Sequence, residues 1–92
     1  MPGTLHMDVD SCRTVQKGIL NTKDQIDQQL TAVKNAVDGM VGTTWIAPGA
    51  TQYHGDFQTW VSSLTQLSQQ LADLATRLST EIDQWEQAAQ QA

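Results

Sequence analysis

His54 stands between a phenol, Tyr53, and a carboxylate, Asp56, two positions on. Imidazole is the side chain that titrates nearest neutral pH, so this cluster could move a proton or hold a ligand. Asp24 with Asp27, and Glu81 with Asp83 and Glu86, are the acids close enough in sequence for paired carboxylate chemistry. Both groups fall on convex helix surfaces with no pocket beside them and read as solvated faces. His54 reads as a surface residue in the first turns of a helix, and His6 as part of a flexible lead. Cys12 is the only cysteine, so no disulfide can form within the chain. It falls on an apolar stripe and reads as a small buried hydrophobe rather than a redox thiol. One cysteine and two distant histidines make a poor zinc set. No nucleophile–base pair, glycine-rich phosphate loop or metal-ligand spacing is present, so neither catalysis nor a cofactor is expected.

What remains is a chain built for contact. Its 92 residues make one small domain with limited capacity to bury its own surface. Small chains of this kind gain burial from disulfides, metals or oligomerisation; with the first two disfavoured, oligomerisation is expected. The net charge is −5, with only five basic residues. That balance argues against phosphate-backbone binding and against docking on anionic lipid. No apolar run approaches the roughly 20 residues of a membrane span, so direct membrane insertion is not expected. The start, Met1-Pro2-Gly3-Thr4-Leu5-His6, has neither the basic region nor the apolar core of a secretory signal peptide.

Two long segments carry helical periodicity. In the first, about 10–41, the apolar or small positions are Cys12, Val15, Ile19, Thr22, Ile26, Leu30, Val33, Val37 and Met40. Steps of three and four place them on one stripe. Asp10 and Ser11 suit its N-cap, with Asp8 and Asp10 favoured by the helix dipole. Gly39 and Gly42 mark its end. In the second, about 50–88, the stripe is Tyr53, Phe57, Trp60, Leu64, Leu67, Leu71, Leu74, Leu78, Ile82 and Trp85. Its steps form a heptad seam with a late stutter. The Gln-rich tail from Gln87 has no strong anchor and is expected to fray.

Between them, at 42–49, lies a corner with Trp45 followed by Pro48 and Gly49, which break a helix. The expected fold is therefore all-α: an antiparallel helix-turn-helix hairpin. Trp45 reads as a plug for its closed end, and Trp60 and Trp85 as core or dimer filler. Two antiparallel helices cannot cover both apolar bands, and an exposed band of that length marks a partner surface. Two hairpins back to back make a four-helix bundle, so a dimer is expected. Its interface residues are Val15, Ile19, Ile26, Leu30, Val33 and Val37 of the first helix, and Phe57, Trp60, Leu64, Leu67, Leu71, Leu74, Leu78, Ile82 and Trp85 of the second.

The order of these parts resembles a family. A helix, a Trp-turn-Gly corner, and an aromatic followed by Phe57-x-x-Trp60 opening a second helix are similar to the small WXG, or early-secreted-antigen-like, proteins of type VII secretion. The lead Leu5-His6-Met7-Asp8-Val9-Asp10 is similar to the short apolar–Asp start of that family. The resemblance covers nearly the whole chain. The family's Trp-x-Gly is replaced by Trp45-Ile46-Ala47-Pro48-Gly49, so Trp45 carries over directly and Gly49 by role. Family pairs often carry a Tyr-x-x-x-(Asp/Glu) export signal after the second helix. Tyr53, the only tyrosine here, is followed at the fourth position by Phe57. The resemblance implies a bacterial, non-enzymatic secretion substrate or substrate chaperone, held in the cytoplasm before export. Its implied partners are a second copy or a sister WXG-like protein, and an FtsK-like membrane ATPase. Without the resemblance, the same residues read as a non-secreted structural or regulatory coiled-coil adaptor.

Overall fold

A computed structural model describes residues 5–91. Two helices, α1 (Val9–Met40) and α2 (Pro48–Gln91), pack against each other as an all-α hairpin. The hairpin is a rod of 68 × 21 × 20 Å.

Local chemistry sets the ends of the helices. The N-cap of α1 is Asp8, not Asp10 or Ser11: its Oδ1 accepts the Ser11 amide at 3.1 Å. That bond holds the Asp8 carboxyl below its usual range. At the other end Gly42 adopts φ +88, the left-handed conformation that favours glycine after a helix. The corner closes through Trp45 N–H to the Met40 carbonyl and Gly42 N–H to the Trp45 carbonyl, both at 3.0 Å. Pro48 does not stop a helix here. It is the first residue of α2, where the missing amide hydrogen costs nothing, so α2 starts two residues earlier than the turn chemistry suggested. Towards the tail, α2 stays helical to Gln91. Met1–Thr4, including the Pro2-Gly3 lead, and Ala92 lie outside the described residues.

The seam between the helices differs from the stripe of large residues. Burial along α2 follows Ala50, His54, Phe57, Val61, Leu64, Ser68, Leu71, Ala75, Leu78 and Ile82 in unbroken steps of four and three. Four positions of this heptad row, Ala50, His54, Ser68 and Ala75, carry small or polar side chains. Fully or nearly covered side chains are limited to Val37, Ala50, Phe57, Ala75, Ile82 and Ser68. Ala75 and Ser68 let the helices approach closely, and Ile82, at 0% exposure, fills the seam near its open end.

Two substitutions test this arrangement by circular dichroism during chemical denaturation. Ile82→Ala leaves a cavity and is expected to cost about 2–4 kcal/mol. Gly42→Ala meets no neighbour within 4 Å, so its expected loss of about 1 kcal/mol comes from the backbone alone.

Candidate functional site

Shifting one position back along α2 from the small-residue row gives Tyr53, Trp60, Leu67 and Leu74. These large side chains remain 44, 50, 46 and 52% exposed. The matching row of α1 is Cys12, Ile19, Ile26, Val33 and Met40, of which Val33 is exposed and the rest half-buried. In an antiparallel pair these two rows lie on the same side of the seam. They meet in an open groove of about 400 Å³, where Ile26, Leu30 and Val33 face Trp60, Leu64 and Leu67. The groove continues towards the corner between Val33, Val37, Tyr53, Phe57 and Trp60. The Phe57 and Trp60 rings stack at a tilt, 5.7 Å apart.

The opposite side of the seam has different chemistry. Its rows are Asp10, Lys17, Asp24, Thr31 and Asp38 on α1, and Thr51, Gln58, Thr65, Ala72, Ser79 and Glu86 on α2. The hairpin is therefore two-faced, with one flank apolar and the other polar.

Polar ties along the seam fix the register. Arg13 pairs with Glu86 and, at 3.1 Å, with Asp83, joining the start of α1 to the end of α2. Glu86 and then Asp83 raise the Arg13 pKa above its usual value. At mid-length Ser68 Oγ donates to Asp27, whose other oxygen accepts from Lys23 Nζ at 2.6 Å. Lys23 and then Ser68 hold the Asp27 carboxyl below the usual range, and Asp27 raises Lys23. Near the corner His54 Nε2 lies 2.8 Å from Asp38 Oδ1. His54, Asp27, Asp83 and Glu86 thus bind helix to helix, where the sequence suggested solvated surface. Asp24 and Glu81 are exposed as expected. Arg13, Lys23 and Ser68 belong to no sequence motif; the signal for the first is a cation near one end of the chain and two acids near the other.

The residues expected to form the interface divide into three groups. Val37, Phe57 and Ile82 are buried within the hairpin. Ile19, Ile26, Leu30, Leu64, Leu71, Leu78 and Trp85 are half-buried at the seam's edge. Val15, Val33, Trp60, Leu67 and Leu74 are exposed. Cys12 is half-exposed rather than buried. Trp45 is 38% exposed and does not plug the interior. Its ring leans on the first turn of α2, where Cζ2 lies 3.7 Å from the position a Gly49 Cβ would occupy and the Tyr53 ring is 5.6 Å away. Among the described residues no cluster could hold a metal ion, and no helix is long and apolar enough to cross a membrane. No family model, curated protein or solved structure matches the chain.

The carboxylate ties give a pH signature. Asp8 and Asp27 have lowered folded-state pKa values, so they add stability above the ordinary value of 3.8 and lose it as pH falls through the folded values. The melting temperature is expected to be flat from about pH 6 to 8 and to drop below about pH 4. Asp27→Asn should lower it at pH 7 and flatten the acid limb, read by thermal circular dichroism.

Proposed function

We propose that this chain is a non-catalytic interaction protein that works by pairing helical hairpins, in the manner of the small WXG-type proteins of type VII secretion. The observation that carries the pairing is the continuous row of half-exposed Tyr53, Trp60, Leu67 and Leu74 beside the α1 row. A row of this size is costly to leave in water and is too open to enclose a small substrate. The link to secretion rests on the resemblance in length, order of elements and Trp corner. In this role the chain is a substrate or substrate chaperone, and an FtsK-like ATPase recognises the paired bundle. Trp45, Ile46 and Tyr53 form an exposed apolar tip at the corner, where such recognition could occur.

The test is export from the source cells. The chain is expected in the culture medium when the secretion ATPase is intact and absent from it when that ATPase is deleted, with intracellular levels maintained. Equal amounts in both media, or none in either, overturn the secretion role. Retention inside the cell in a complex with a non-secreted protein would instead make the chain a coiled-coil adaptor.

A further inference from the structure

The corner end of the hairpin is held together differently from its body. Residues 39–55 contain four of the chain's six glycines. Gly39 lies in the last turn of α1 and Gly55 about two turns into α2. They stand at the same level, because Asp38 and His54, the residues just before them, meet at 2.8 Å across the seam. A Cβ at either position meets no neighbour within 4 Å, so neither glycine is needed for close packing. Glycine weakens a helix because it regains the most backbone freedom on unwinding. Both helices are therefore weakened at one cross-section of the rod. Gly18 of α1 has no such counterpart, since α2 holds no glycine beyond Gly55. Burial changes at the same level. On the body side Val37 and Phe57 are covered, and the seam continues through Ser68, Ala75 and Ile82. On the corner side, among the described residues, the covered side chain is that of Ala50, a single methyl group, while Trp45, Ile46 and Tyr53 are exposed. The bonds that close the corner, from Gly42 to Trp45 and from Trp45 to Met40, stay inside the segment.

We infer that residues 39–55 are a unit that opens by itself, while the body of the hairpin stays folded. In the closed state Trp45 leans on Gly49 and on the Tyr53 ring. In the open state the end of α1 and the first two turns of α2 unwind. The Trp45–Tyr53 contact then separates and the His54–Asp38 pair breaks. The body keeps Val37 and Phe57 in the seam, together with the Asp27–Ser68 and Arg13–Glu86 ties. The groove between Ile26, Leu30, Leu64 and Leu67 lies beyond Phe57 and keeps its shape. A segment opens below the cost of global unfolding where it buries few apolar contacts, and glycine lowers that cost further. The chain thus has an aromatic tip with two states on a rod with one. The inference goes beyond the pairing and secretion readings and rests on neither.

The experiment is amide hydrogen exchange on the full chain, read residue by residue by nuclear magnetic resonance. The Val41, Trp45 and Ala50 amides are all hydrogen-bonded in the closed state. After correction for intrinsic rates they should share one protection factor, at least about tenfold below those of Leu30, Leu71 and Ile82. Gly55→Ala acts inside the unit and is lost in local and global opening alike, so it should slow tip and body amides by about fivefold. Gly18→Ala acts outside the unit and should slow the body amides by a similar factor while leaving the tip amides unchanged. Neither added methyl meets a neighbour within 4 Å, so both variants retain the fold, which circular dichroism checks. Equal protection of tip and body overturns the inference. So does a Gly18→Ala effect on the tip, which would mean that the corner opens only with the whole chain. Unequal protection at Val41, Trp45 and Ala50, or tip amides indifferent to Gly55→Ala, would replace the unit with fraying and overturns it as well. Export of the chain, or its absence, alters none of these readings.

Discussion

A helix joined to one antiparallel neighbour can bury only one side of its surface, and this chain has more apolar surface than one side holds. That constraint governs the structure. The seam must satisfy close packing between two long helices, so it takes Ala50, Ala75 and Ser68 at its tightest points. The large side chains are then displaced one position along α2, into a row that the hairpin itself cannot cover. The chain has not failed to make a core. Its apolar surface is divided between an internal seam that sets shape and a flank that remains open.

The polar ties make sense within that division. A heptad seam is weakly specified by its apolar contacts, because a shift of one heptad sets one apolar row against another. Arg13 with Asp83 and Glu86, Asp27 with Ser68, and His54 with Asp38 sit at the two ends and the middle. A shift of the helices breaks all of them together. Exposed ion pairs contribute little stability singly, so their main effect here is to select a register. The corner supports the same choice. Gly42 turns the chain, Trp45 bonds back to Met40, and Pro48 starts α2 with its φ already helical.

The hairpin was legible in the sequence because two apolar stripes of helical period flank one Trp-Pro-Gly corner. The seam was not. A search for large hydrophobes finds Tyr53, Trp60, Leu67 and Leu74 before it finds His54, Val61, Ser68 and Ala75, and so chooses a row one position off. Tertiary packing rewards small side chains where helices touch, and no local propensity signals that. For the same reason His54 and Asp27 read as surface: their partners, Asp38 and Ser68, meet them only once the chain has folded back. The caps were misplaced slightly because Asp8 and Asp10 are both competent, and because Pro stops a helix from inside but starts one from its first position.

The division of apolar surface also bears on how such a protein can be both stable and separable. If the large side chains had been spent on the internal seam, the hairpin would be self-sufficient and would offer nothing but polar helix to a partner. If the seam had no ties of its own, the single hairpin would lose its register. Polar ties and small residues among the larger side chains of the seam, with Tyr53, Trp60, Leu67 and Leu74 outside it, avoid both outcomes. Shape is held by contacts local to one chain, while Tyr53, Trp60, Leu67 and Leu74 keep about half of their surface in water, where burial would still be favourable.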